Sequence, residues 1–196
     1  MESISFRRGF SLVELLVVLA IIGIIMSIVL TSQSSFNKTL VLTNTAYDIA
    51  LTLRNAENYG LGSRAANTIS NAGYGVHFQT GNSFILFADT SDGQSCVNMP
   101  PDCKLGDGLY TAGDAPPVQT YTLNNGITIS KICADTSCNI SSLDVVFSRP
   151  NPDAHINGYN SSYAKACVVV MSPQGDEKYV SVASSGQITA NATQCP

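Results

Sequence analysis

The chain has 196 residues, of which only 12% are charged, a size and polarity suited to one modest domain carried on an apolar element. Ten basic residues stand against fourteen acidic ones, a net charge of −4. The basic residues of the C-terminal part, Lys104, Lys131, Arg149, Lys165 and Lys178, form no cluster. That balance excludes a general electrostatic attraction to nucleic acid or to anionic lipid.

The first predicted element is Phe6 to Leu30, a short basic leader running straight into 21 nearly uniform apolar residues, Phe10 to Leu30. As a helix at about 1.5 Å per residue this run spans about 31 Å, close to the hydrocarbon core of a bilayer at about 30 Å. Fifteen of its residues are Phe, Leu, Ile or Val, and together they favour insertion by roughly 5–9 kcal/mol. The single charge, Glu14, costs about 2.5–3.5 kcal/mol at most, so the segment still inserts. A secretory signal would be shorter and would be followed by a small-residue cleavage site, and none occurs in Thr31 to Lys38. The other reading places a cut before the apolar run and leaves the helix on the mature chain.

Arg7-Arg8-Gly9 followed by Phe10-Ser11-Leu12-Val13-Glu14 resembles the leader junction of type IV prepilins and pseudopilins. The resemblance implies a leader of residues 1–9, cleavage between Gly9 and Phe10 by prepilin peptidase, and N-methylation of the new terminal Phe10. It also implies a role for Glu14: its carboxylate would pair with the terminal amine of a neighbouring subunit and guide docking into a filament. A buried carboxylate is tolerable when paired in this way. The chain has Thr31 where many members carry a proline linked to a helix break in assembled filaments. The partners implied are the peptidase, other pilin or pseudopilin subunits and the membrane assembly platform.

Cleavage would remove Glu2, Arg7 and Arg8, leaving 8 basic residues against 13 acidic, a net of −5. Basic residues ahead of the apolar run place that end in the cytoplasm and the bulk of the chain outside it. Cysteine usage agrees. Cys96, Cys103, Cys133, Cys138, Cys167 and Cys195 all lie on the exported side, where an even number favours disulfides. Short separations point to Cys96–Cys103 and Cys133–Cys138 as loop staples, with Cys167–Cys195 remaining. A zinc site is the alternative, but there is no C-x-x-C and the histidines are only His77 and His155.

Residues 31–62 continue the helix as an amphipathic segment. Leu42, Ala46, Ile49, Leu53, Ala56 and Gly60 alternate gaps of four and three, one stripe on a helical face, which Phe36 and Leu40 extend backward. Gly60 and Gly62 signal its end, so one helix is predicted from about Phe10 to about Tyr59.

Residues 63–196 are predicted as a β-rich globular head, which makes the fold α+β: a long N-terminal helix, membrane-spanning in its first half, packed on strands by its second half. Tyr74 to Phe78 and Phe84 to Phe87 flank Gly81-Asn82 as a hairpin. Further strands are predicted at Thr120–Leu123, Ile127–Cys133, Leu143–Phe147, Ala166–Met171, Tyr179–Ala183 and Gln187–Ala190, about eight in all. Asn124-Asn125-Gly126 and Ser172-Pro173-Gln174-Gly175-Asp176 mark turns. Arg149-Pro150-Asn151-Pro152-Asp153 is read as opening a long loop that its prolines keep out of the sheet. The helix ending Leu51-Thr52-Leu53-Arg54-Asn55-Ala56, the paired strands and the terminal Gly186-Gln187-Ile188 resemble GspH/FimT-type minor pseudopilins and pilins.

Chemistry beyond assembly is sparse. His77 falls in a strand and His155 in the proline loop, and neither can be given a serine or cysteine neighbour, so no enzymatic activity is expected. Cofactors are not expected, with one exception to weigh. Asp89 and Asp92, together with Asp107 and Asp114, offer oxygen ligands near glycines that could suit calcium, although the spacing is not that of an EF-hand. The function expected is a structural subunit, a minor pilin or pseudopilin, of a type IV pilus or type II secretion filament. A tip module binding DNA or a surface on the same scaffold is the alternative.

Overall fold

In a computed structural model the chain divides into two units, Met1–Leu40 and Val41–Pro196. The structure describes residues 10–62, 64–66, 72–91, 106–111, 114, 118–158, 161–192, 194 and 195, and only the backbone of 31–37. Helix α1 (Leu12–Leu61) opens with the Leu15 amide donating to the Ser11 carbonyl at 3.2 Å and continues through Thr31. No proline interrupts it, and Leu, Ala and Met supply helix propensity between its β-branched residues.

In the first unit every large apolar side chain from Phe10 to Leu30 is exposed, from 44% at Val29 to 81% at Phe10. Leu12–Leu30 is long and apolar enough to cross a membrane. In the second unit the helical stripe is buried as its spacing predicts: Leu42, Ala46, Ile49, Leu53 and Ala56 belong to the core, and Gly60 is buried beside them. Leu40, expected to extend the stripe, is instead 43% exposed. It precedes Leu42 by two residues, about 200° around the helix, and so projects from the opposite face.

Ten strands follow among the described residues: β1 (Gly73–Gln79), β2 (Ser83–Asp89), β3 (Gln119–Thr122), β4 (Thr128–Ala134), β5 (Ser142–Phe147), β6 (Ala154–Gly158), β7 (Ser161–Tyr163), β8 (Lys165–Met171), β9 (Glu177–Ala183) and β10 (Ile188–Ala192). They form two antiparallel sheets, ordered β3-β2-β1-β5-β6-β7 and β10-β9-β8-β4. The core gathers one face of each sheet. Tyr74, Val76 and Phe78 lie beside Phe84, Leu86 and Ala88 on one flank and Leu143, Val145 and Phe147 on the other, while Ile129, Ile132, Val168, Val170, Val180 and Val182 come from the second sheet. Burying each of the large apolar side chains stabilises the fold by about 1.5–3 kcal/mol.

Two turns join the sheets. At the tip of the β1–β2 hairpin, Gly81 exchanges both backbone hydrogen bonds with Ile129, at 3.1 and 2.7 Å. Asn125 and Gly126 both have positive φ, 59° and 72°, and the Ile127 amide closes the turn on the Asn124 carbonyl at 3.1 Å. That is a type I′ geometry, to which Asn-Gly is well suited. It carries the chain from β3 in one sheet to β4 in the other.

One expectation is corrected here. The proline segment 149–153 does not open a long loop: strand β6 begins at Ala154, immediately after it, and β7 follows at Ser161. The prolines occupy only the approach. Ala154, Ile156 and Gly158 are buried while His155 is exposed, an alternation that seats β6 against β5. His155 therefore stands on a strand.

Candidate functional site

The N-terminal segment contains the residues that the sequence marks for processing and assembly. Gly9 lies outside the described residues. Phe10 and Ser11 precede the helix, and Glu14 is the acid of its first turn. Ser11 and Glu14 have the S-x-x-E spacing of a capping box, and a carboxylate there favours the positive end of the helix dipole. The sequence reading weighed Glu14 as a charge among apolar residues and as a partner for a neighbour's amine, but not as a helix cap. The same carboxylate stands where a helix start can use it.

In the head, polar residues converge on the non-core face of the six-stranded sheet. His77 on β1 holds Nδ1 2.7 Å from an Asp144 carboxylate oxygen on β5, and the two residues are register partners. The Tyr110 ring packs on His77 at 4.9 Å and on Phe87 at 5.2 Å. Asp144 was missed in the sequence, although an acid within the apolar run Leu143 to Phe147 was a usable signal. The hydrogen bond of His77 goes to Asp144, and the imidazole is shielded by Tyr110. The pair therefore bridges two strands.

The residues considered for calcium are partly brought together. Asp89, at the end of β2, is buried and accepts the backbone amides of Asp107 at 3.1 Å and Gly108 at 2.9 Å. Asp114 accepts the amides of Thr90, Ser91 and Thr111 at 2.9, 3.0 and 2.7 Å, and Asp107 accepts that of Leu109 at 2.9 Å. Asn157 on β6 donates to the Gly108 carbonyl at 2.9 Å. Gly106 passes so close over Asp89 that a Cβ would lie 2.5 Å from its carboxyl carbon, and its φ is +100°. Burial raises the Asp89 carboxyl to about 7; the Gly108 amide opposes that rise, while Asp114 and Asp107 add to it.

These carboxylates face the positive ends of N–H dipoles, a setting that suits an acceptor and disfavours a cation. Among the described residues no three His, Cys, Asp or Glu side chains gather as metal ligands. Asp92 lies outside the described residues.

Two disulfides are formed, Cys133–Cys138 and Cys167–Cys195, with sulfur separations of 2.05 and 2.07 Å. They close loops of sequence separation 5 and 28, so chain entropy assigns the second the larger contribution, about 3–4 kcal/mol against about 2. Cys96 and Cys103 lie outside the described residues, and no described cysteine is free.

An apolar helix exposed on all sides, followed by a disulfide-bonded β head, defines an α+β protein of the membrane-anchored kind. Its N-terminus is more specific. Residues 4–30 match the model of the prokaryotic N-terminal methylation motif, the signature of type IV prepilins. No curated protein and no solved structure gives a match to the chain. The motif implies processing by prepilin peptidase and assembly with other pilins, and it belongs to structural proteins.

Proposed function

We propose that the chain is a minor pilin or pseudopilin, a structural, non-enzymatic subunit of a type IV pilus or type II secretion filament, close in kind to the GspH/FimT group. The observation that carries this reading is the methylation motif at residues 4–30, joined to an apolar helix with no face buried in its own chain. In this reading residues 10–30 serve first as the membrane anchor and then as the filament shaft, and the head from residue 63 stands outside the cytoplasm. The membrane assembly platform and other pilin subunits are its partners. Intact-mass measurement on protein from the native host is expected to show loss of residues 1–9 and one added methyl group on Phe10. A full-length N-terminus, or a cut beyond Leu30, would refute the processing step.

Assembly gives a second expected result. Glu14→Ala should leave membrane insertion intact, because it removes a charge that costs about 2.5–3.5 kcal/mol at mid-membrane. The same substitution should reduce incorporation into filaments several-fold, because the amine of the neighbour loses its counter-charge. Filament pull-down with wild-type incorporation would remove Glu14 from the assembly step.

A further inference from the structure

We infer that the two disulfides of the four-stranded sheet form an exchange pair, in which reduction at Cys138 is relayed through Cys133 to release Cys195. Cys133 on β4 and Cys167 on β8 are direct register partners in an antiparallel ladder. Their side chains therefore share one face of the sheet, where they form a small buried cluster with Val169, Tyr179 and Cys195. Directly opposed residues in such a ladder have Cα atoms about 4.5–5.5 Å apart. A disulfide accepts Cα separations of about 4.4–6.8 Å, so the Cys133–Cys167 bond needs no rebuilding of the strands.

Exposure sets the direction. Cys138 is exposed beyond the turn at Asp135 and Thr136, whereas Cys133 and Cys167 are buried and Cys195 is partly buried. A dithiol reductant therefore reaches the Cys138 sulfur first. Its thiolate attacks that sulfur, and Cys133 leaves as a thiolate. The second thiol of the reductant then closes its own disulfide, releases Cys138 and leaves it protonated. The Cys133 thiolate next attacks the Cys167 sulfur. A Cys133–Cys167 bond forms as the Cys167–Cys195 bond breaks, and the electron pair leaves on Cys195, which takes a proton from water.

Two electrons have entered, the reductant is oxidised, and the protein has one disulfide fewer. Attack on the Cys195 sulfur instead would join Cys133 to a residue beyond β10, whereas Cys167 stands directly opposite Cys133 on the neighbouring strand. The outcome is a head whose C-terminal tether, just beyond β10, is opened by a reductant that touched only the β4 end of the sheet. This inference stands independently of the filament reading.

The test uses the full chain in detergent, treated with less than one equivalent of dithiothreitol, acid-quenched, alkylated and mapped by peptide mass spectrometry. Label is expected on Cys138 and Cys195, several-fold above Cys133 and Cys167, together with a linked Cys133–Cys167 peptide. Label on Cys133 and Cys138 with Cys167–Cys195 intact would overturn the relay. The variant Cys138→Ser reads the same step without reductant. A free thiol is expected at Cys195, and one at Cys133 beside an intact Cys167–Cys195 bond counts against the proposal. In the double variant Cys133→Ser, Cys138→Ser the same dithiol should leave Cys195 unlabelled, and labelling there equal to the parent would mean direct reduction.

Discussion

Replacing Gly60 by leucine is expected to destabilise the head by about 4 kcal/mol or more, the upper end of what overpacking produces. A Cβ at this position would lie 2.2 Å from the Phe147 carbonyl oxygen and 2.8 Å from its carbonyl carbon. Both are backbone atoms of β5, which pairs with β1 and β6 on its two sides and has no room to retreat. The helix must therefore lift away, and the stripe ending at Ala56 loses contact with the core. A non-glycine residue in a helix gains about 1 kcal/mol in propensity, which is too little to offset the clash. Thermal unfolding of the full chain in detergent should show a fall in Tm of roughly 8–16 °C. Asn58→Ala, on the exposed side of the same turn, should change little. An unchanged Tm for the leucine variant would mean that the helix does not approach β5 this closely.

The second large effect is pH dependence carried by Asp89. Burial lifts its carboxyl from 3.8 to about 7, so the folded protein keeps this proton through a range where the unfolded chain has released it. Between about pH 4 and about pH 7 the unfolded state binds fewer protons, and stability falls as pH rises. The contribution is complete below pH 4, is lost across that window and is flat above it. At about 1.4 kcal/mol per unit the loss amounts to about 4 kcal/mol.

Asp89→Asn removes the titration and also one of the two acceptors used by the Asp107 and Gly108 amides. The variant should be less stable than the parent at pH 4, by about 1–3 kcal/mol for one unsatisfied buried amide. It should match or exceed the parent at pH 8. Denaturant unfolding at a series of pH values reads this directly as a difference curve between parent and variant. Parallel curves would show that Asp89 ionises as an ordinary exposed acid.

The helix and most strands were legible because their periodicities are local. Leu42, Ala46, Ile49, Leu53 and Ala56 announce a helical face within fifteen residues, and the burial of that face follows. Strands β1, β2, β5 and β8 contain dense apolar runs that survive without context. Strands β6 and β7 did not stand out, because Ala154-His155-Ile156-Asn157-Gly158 alternates with small residues and follows two prolines. The alternation was present, but its amplitude was low.

Gly60 was readable as a helix stop, and its second role depends on Phe147, 87 residues away in the chain. Likewise Asp89 was recognised as an acid after an apolar strand. What makes it a buried acceptor is the return of the chain at Asp107 and Gly108, which no local pattern encodes. The His77–Asp144 pair is of the same kind. Its two halves are joined by sheet register, and register is a property of the whole hairpin arrangement.

From Leu12 to Leu30 the helix presents hydrocarbon around its whole circumference. Such a cylinder carries no address. Two of them side by side gain nearly the same contact at any rotation, and nearly the same after sliding by one turn, about 5.4 Å. Apolar attraction alone would therefore hold neighbours together without telling them where to stop. In the proposed filament the carboxylate of Glu14, the one charge in this segment, has both a height and a bearing, since in hydrocarbon it must find a partner at one place. In that reading adhesion is distributed over the length of the segment, while the information for alignment is concentrated at one charged residue near its start.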